Sequence, residues 1–416
     1  MSRGLSLRML AALLTGVALG LVAQAWLPAT TVERLIAVTE PAGKIFLRLL
    51  FMLVIPLVLA ALPLGVTALG DVRALGRVGI RTLAFSAGVS AVAVVLGVTL
   101  VNVFEPGRGL PAELRAHLRA VPMPETGPAG AELLVRLVPA NVVRAMADGD
   151  MLAVMVFALL LGIGLAAVRT EGARRLEEVL QGVQDVVMWL LERVIRLAPI
   201  GVFCLVFTLA GRLGLDAIRQ LGAYVAVVLG GLAIHQFGVY SLAVRWLGGM
   251  APARFFRAVR PAMLTAFSTA SSNATLPTAL AVADRELGLP PSVSRFVLTI
   301  GSTANQNGTA LFEGVTVLFL AQLYGVDLSV SQQLIVAGIC VLGGIGTAGV
   351  PAGSIPVVMM ILGLIGVPAD GIGLVLGVDR FLDMCRTTVN VTGDLVAAVV
   401  VSRPEMHLGS GPDARV

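Results

Sequence analysis

Near its C-terminal end the chain reads GVDRFLDMCRTTVNVTGDLVAAVV from Gly377 to Val400. Asp379, Asp383, Arg386, Asn390 and Asp394 stand there at i, i+4, i+7, i+11 and i+15. At about 100° per residue a helix gathers those five side chains into an arc of roughly 80°. The other faces are mostly Leu, Val, Met and Ala. Such a stripe is either the wetted face of a soluble helix or the polar lining of an apolar bundle, and the surrounding chain decides between them. It is 57% hydrophobic and 13% charged, with a mean hydropathy of +0.92, whereas soluble domains carry about 25% charged residues. The chain therefore reads as an all-α polytopic membrane protein. An ionisable group at mid-bilayer costs on the order of 2.5–3.5 kcal/mol, so these side chains need partners inside a bundle. The stripe is the expected functional centre.

Composition narrows the rest. The formal charge of +5 does not point to nucleic acid, because the basic residues concentrate in short loops. Cys204, Cys340 and Cys385 all lie in apolar segments, as small core residues with neither a disulfide framework nor metal-ligand spacing. Arg3 and Arg8 precede a long apolar run without a small-residue cleavage site, which predicts an uncleaved first span. That span is Leu5–Leu27, and others are expected at Ile45–Leu69, bent at Pro56 and Pro63, Ile80–Phe104, Met151–Val168, Val186–Leu213 and Leu221–Leu247. Glu105–Asp150 is a proline-bearing polar connection. Arginines fall at 73, 77 and 81, at 169, 174 and 175, and at 245, 254, 257 and 260. A cytoplasmic N-terminus puts all three groups on the cytoplasmic side, as the positive-inside rule asks.

After Arg260 small and polar clusters interrupt the apolar segments: STASSNATLP at 268–277, GSTANQNGT at 301–309 and GGIGTAGVPAGS at 343–354. Each halts a helix at a depth where free backbone groups must find protein, ligand or ion. Small-residue helix packing would account for any one of them, but poorly for all three beside a charged stripe. Two of them, each set between short apolar arms, predict re-entrant hairpins whose tips meet near the midplane, the pattern of a secondary-transporter binding site.

The motifs Ser271-Ser272-Asn273-Ala274-Thr275-Leu276-Pro277, Asn305-Gln306-Asn307-Gly308-Thr309, Gly346-Thr347-Ala348-Gly349-Val350-Pro351 and Asp383-Met384-Cys385-Arg386-Thr387 resemble the glutamate transporter homologues, the dicarboxylate/amino acid:cation symporter family. The likeness covers nearly the whole chain, including LRLLFMLVIPLVLAAL and APIGVF at 198–203. It implies eight transmembrane helices plus two re-entrant helical hairpins in a homotrimer within the inner membrane. Residues 1–75 and 105–214 would form a scaffold domain. Residues 76–104 and 215–404 would form a transport domain moving as an elevator, with 405–416 a C-terminal tail.

By the same resemblance Arg386 would hold the substrate side-chain carboxylate and Asp383 its α-amino group, with Asn390 and Ser272 at the α-carboxylate. Thr309, Thr387 and the Val350 backbone would complete the pocket. The residues agree with this independently: a planar guanidinium suits bidentate carboxylate recognition, and a cation and an anion one helical turn apart complement a zwitterion carrying an extra carboxylate. Asp383 argues against plain C4-dicarboxylates, which would leave it unpaired. The turn at Gly349-Val350-Pro351 resembles a gate over substrate and ions.

Coupling departs from the family pattern. One sodium site is implied at Gly301, Asn305, Asn390 and Asp394, and a second at Thr303 with Thr347 and the 344–347 backbone. Gln306 stands where the family has methionine. At a third site Asn307 replaces an aspartate and Val89, beside Ser90, a threonine; an amide and an isopropyl group suit a hard cation poorly. Glu313, in ALFEG, matches the glutamate that carries the proton in proton-coupled members. Ala270 stands where archaeal sodium-coupled relatives have an arginine that would hold Glu313 ionised. A glutamate paired with arginine for packing is the plainer reading of Glu313. The resemblance thus implies a symporter of glutamate or aspartate coupled to H+, with reduced or no dependence on Na+. It implies no cofactor and no enzymatic activity, and the partners expected are the substrate, membrane lipid and two further copies of the chain. The competing readings are a sodium-coupled acidic amino acid symporter, a neutral amino acid or C4-dicarboxylate carrier, a channel, and an intramembrane aspartyl protease. The last is disfavoured because Thr392-Gly393-Asp394 lacks the GxGD arrangement.

Overall fold

A computed structural model describes residues 3–68, 77–108, 138–148, 151–168, 170–346, 354–368 and 371–408, and among these all regular structure is helical. The first half comprises α1 (Arg3–Trp26), α2 (Ala29–Phe51), α3 (Val54–Ala68), α4 (Arg77–Phe104), α5 (Val142–Asp148), α6 (Met151–Ala167), α7 (Glu171–Arg196) and α8 (Ala198–Ala233). A helical rod continues α8 to Leu247 through two π-helical segments, Ile234–Val239 and Ala243–Leu247. The stretches Val78–Phe104, Arg219–Leu247 and Ile372–Arg403 are long and apolar enough to cross a membrane. Large apolar side chains such as Leu19, Trp26, Val95, Phe104 and Leu334 stand exposed on the outside, as befits a multi-pass membrane protein rather than a water-soluble one.

Two expected spans are broken, the first near Pro56, where a bend was expected, and the second where none was. Between Ile45 and Leu69 the chain leaves α2 at Phe51 and restarts as α3 at Val54. Pro56 has no N–H to return to the carbonyl of Met52, so it sits in the first turn of a new helix, where that bond is not required. Between Val186 and Leu213 the break falls at Leu197, and Pro199 opens α8 in the same way. The first part of that expected span belongs to α7, a strongly amphipathic helix lying against α3. Gly214 interrupts α8 at φ 67°, ψ −153°, a conformation foreign to a helix.

In the second half the helices come in broken pairs. α9 (Pro252–Thr269) and α10 (Ser272–Arg285) pack together as a hairpin. Its tip is Ala270 in the left-handed region (φ 48°), followed by Ser271, whose side chain accepts from the Ala274 N–H and caps α10. α11 (Pro291–Ala304) and α12 (Asn307–Tyr324) are parted by Asn305 and Gln306. α13 (Val330–Gly346) and α14 (Ile355–Leu364) are the arms of the second expected hairpin. The turn between them is outside the described residues, and so are Thr347, Gly349, Val350 and Pro351. α15 (Ile372–Leu408) runs unbroken through the polar stripe and packs against α8, α9, α11 and α12. The stripe is thus the inner face of a helix enclosed on several sides.

Candidate functional site

Arg386 is 1% exposed and lies at the middle of an ion network on α15. Its Nη1 is 2.8 Å from Asp379 Oδ1 and its Nε donates to Asp383 Oδ1 at 3.0 Å. Asp383 Oδ2 in turn accepts from Arg380 Nη1 at 3.3 Å. The Arg386 guanidinium stacks over the Phe312 ring of α12, 4.2 Å from its centroid. The pair of charges read from the sequence, Arg386 and Asp383, is therefore a neutral group of four with Asp379 and Arg380. The helix explains it: Asp379 is two turns before Arg386 on the same face, and Arg380 is three residues before Asp383. A carboxylate already occupies Arg386 as an acidic ligand would. The sequence reading missed the role of Arg380 and of Phe312, which looks like any apolar core residue of ALFEG.

One turn further along α15, Asn390 serves the start of α12. Its Oδ1 accepts from the Gly308 N–H at 2.7 Å and the Thr309 N–H at 3.3 Å, filling the place of a helix cap. Its Nδ2 donates to Thr309 Oγ1 at 3.0 Å and to Gln306 Oε1. Gln306 Nε2 donates to the Ser302 carbonyl at 2.9 Å and to Ser272 Oγ at 3.5 Å. Ser272, Thr309 and Asn390 thus meet around Gln306, the residue that stands in place of the family's methionine. Thr387 is buried on α15 beside Arg386. The break and the stripe form one polar unit.

Asp394 accepts from Asn305 Nδ2 at 2.9 Å through Oδ1. That oxygen faces Gly301, where an added Cβ would lie 2.7 Å from it. Asn305 Oδ1 is buried with no hydrogen-bond partner among the described residues. Gly301, Asn305 and Asp394 therefore converge with one spare amide oxygen and one carboxylate, a donor set of the kind a hard cation takes. Thr303 turns its hydroxyl to the Ile300 carbonyl at 3.0 Å, while the Gln306 N–H reaches the Gly344 carbonyl of α13 at 3.3 Å. Asn307 is fully buried with Ser90 Oγ donating to its Oδ1 at 2.6 Å, and Val89 packs with the apolar core. Among the described residues no three His, Cys, Asp or Glu side chains are placed to hold a metal ion.

Glu313 lies on α12, one turn beyond Thr309, and is fully buried. Neither carboxyl oxygen has a hydrogen-bond partner among the described residues. Gly343 of α13 leaves room for it, since a Cβ there would come within 2.9 Å of Oε2. Arg386 makes no hydrogen bond to Glu313; its Nε and Nη1 donate to Asp383 and Asp379. Among the described residues no arginine donates to Glu313, so the plainer reading of a packing pair with arginine lacks its hydrogen bond there.

Comparison with known proteins adds breadth to this geometry. A family model described as the sodium:dicarboxylate symporter family matches residues 5–404. The chain is 33% identical over 372 residues to a proton/sodium-glutamate symport protein of Bacillus subtilis, covering 88% of this chain and 86% of that one. It is 33% identical over 375 residues to a proton/glutamate-aspartate symporter of Escherichia coli, covering 88% and 85%. It is also 30% identical over 407 residues to a C4-dicarboxylate transport protein of Bacillus subtilis, covering 97% and 94%.

Proposed function

This chain belongs to the sodium:dicarboxylate symporter family, and from that premise we propose that it is a secondary active symporter importing an acidic amino acid with protons, with reduced or no dependence on sodium. The observation that carries the reading is the buried network of Arg386, Asp379, Asp383 and Arg380 beside the α11–α12 break. An ion network sealed in a membrane bundle is expensive unless it exchanges partners with a ligand. An incoming side-chain carboxylate would replace Asp379 on Arg386, and its ammonium would take Asp383. Ser272, Thr309, Thr387 and Asn390 stand next to that exchange. The relatives named for glutamate and aspartate symport support the substrate class.

The decisive measurement is uptake of labelled aspartate into proteoliposomes with proton and sodium gradients imposed separately. Accumulation driven by the proton gradient in sodium-free buffer is the expected result. Uptake that needs sodium and ignores pH would instead assign the coupling to the Gly301, Asn305, Asn390 and Asp394 site.

One observation favours a second reading, a C4-dicarboxylate carrier. Arg380 already neutralises Asp383, so a ligand lacking an ammonium would not strand that carboxylate, and a C4-dicarboxylate relative covers nearly the whole chain. Asp383→Asn separates the two. Aspartate should lose at least about tenfold in affinity while succinate, the same skeleton without the ammonium, changes little, since a lost charged hydrogen bond is worth about 1.5–3 kcal/mol. Equal losses for both, measured by competition, would make Asp383 a structural residue.

The division into a scaffold (residues 1–75 and 105–214) and a transport domain (76–104 and 215–404) is supported by the break in α8 at Gly214. In a homotrimer seated in the inner membrane with cytoplasmic N-termini, the transport domain would travel as an elevator. Crosslinks between the domains should then stop transport yet leave aspartate binding intact, and the purified protein should sediment as a trimer. A fully active monomer would remove the assembly.

A further inference from the structure

Asp383 is held from two sides, and the two sides differ. Its Oδ1 receives Arg386 Nε and Nη2, each at 3.0 Å. Its Oδ2 receives Arg380 Nη1 at 3.3 Å. The Arg380 side chain is 8% exposed, and its Nε is buried with no hydrogen-bond partner among the described residues. A buried cation ordinarily fills its donors, so this guanidinium is held loosely. The helix explains why: Arg380 stands three residues before Asp383, within reach of it, whereas Asp379, its neighbour in sequence, points about 100° away. With Arg380 the two aspartates and two arginines carry no net charge, and without it they would carry one negative charge.

We propose that Arg380 is a specificity-determining residue that competes with a ligand's ammonium for Asp383 Oδ2, and so sets how far the pocket favours amino acids over dicarboxylates of the same length. The inference rests on the reading of Asp383 as the ammonium site. An amino acid must bring its ammonium to a carboxylate that two guanidiniums already surround. It either displaces Arg380 or sits beside it as a like charge. Succinate brings no ammonium, leaves the contact between Arg380 and Asp383 in place, and is attracted by the second positive charge. Both ligands put a carboxylate on Arg386 and both displace Asp379, so those contributions cancel in the ratio of their affinities. What remains in the ratio is the contest at Oδ2.

The test measures equilibrium binding of aspartate and of succinate to purified full-length protein. Wild type is compared with Arg380→Ala, Arg380→Lys, Asp383→Asn and the variant carrying both Arg380→Ala and Asp383→Asn. Arg380→Ala should shift the affinity ratio toward aspartate by about tenfold or more, because a competitor and a like charge leave together. Arg380→Lys should keep the ratio near that of wild type, since one N–H is what Oδ2 receives from this side chain. In the Asp383→Asn background, loss of Arg380 should move the ratio much less, because the ammonium has lost its acceptor. A merely structural arginine would weaken both ligands together and leave the ratio where it was. A ratio that is unchanged in Arg380→Ala, or shifted toward succinate, would overturn the proposal. So would a shift of equal size with and without the Asp383 carboxylate, which would make Arg380 a distant charge only. If Arg380→Ala does not fold, Arg380→Gln, which keeps the length and loses the charge, is judged by the same outcomes. Should wild type bind neither ligand, the acidic-ligand reading falls and this inference with it, whereas binding with an unmoved ratio removes the role of Arg380 alone.

Discussion

Replacing Arg386 by alanine is expected to abolish uptake of acidic amino acids, leaving at most weak binding of neutral ones. Removing one partner of a buried ion pair costs about 3–5 kcal/mol, which is about two to three and a half powers of ten in affinity. Part of that loss would come from the protein itself, because Asp379 loses the guanidinium 2.8 Å away while Asp383 keeps Arg380. The double variant Arg386→Ala with Asp379→Asn should therefore recover thermal stability without recovering uptake, separating the fold from the binding step. Arg386→Lys should fail as well: Nε and Nη1 serve two different carboxylates, and an ammonium has no such fork. Binding of labelled aspartate measures all three, and unchanged affinity in Arg386→Ala would dismiss the pocket.

Glu313→Gln is expected to convert a concentrating transporter into an exchanger. A buried carboxylate with neither oxygen partnered among the described residues is costly when ionised and far less so when neutral. Proton uptake and substrate loading then share one mobile state, which makes them thermodynamically linked. Glutamine imitates the protonated form permanently, so substrate should still swap across the membrane but should not accumulate against its gradient. Counterflow and proton-driven uptake in sodium-free proteoliposomes measure the two activities on one preparation. A Glu313→Gln variant that still concentrates aspartate would end the proposal.

The polar face of α15 was open to reading because helical periodicity needs no tertiary information, and Asp379, Asp383, Arg386, Asn390 and Asp394 all turned inward. The interruptions at 268–277 and 301–309 were equally plain, since small and polar clusters cannot continue a helix through lipid unaided. What periodicity could not supply was reach. Arg380 starts on a neighbouring face and arrives at Asp383 only because its side chain is long and flexible. Phe312 is chosen as the platform for Arg386 by how α12 packs, not by any local pattern. Pro56 and Pro199 were visible, but whether a proline bends a helix or begins another depends on the carbonyl it fails to serve. Two of the departures from the family pattern, Gln306 and Asn307, were legible as substitutions. Their hydrogen bonds to Ser272, Asn390, Ser90 and Tyr240 were not, because those partners lie up to 217 positions away in the chain.

The two π-helical segments of the rod that extends α8 bear on how this sequence tolerates insertion and loss. A π-turn amounts to an α-helix carrying one surplus residue, and the N–H of Tyr240 reaches back five places to His235 where an α-helix would reach four. Deleting one residue from Ile234–Val239 would let the segment relax to ordinary winding with Tyr240 near its present direction, whereas the same deletion in the α-helical stretch before Ile234 would swing Tyr240 by about 100° about the rod. The change would leave composition, hydropathy and span length almost untouched. It would nonetheless turn the hydroxyl away from Asn307 and Val389. In this stretch the reading frame of the helix, more than the identity of its residues, carries the information.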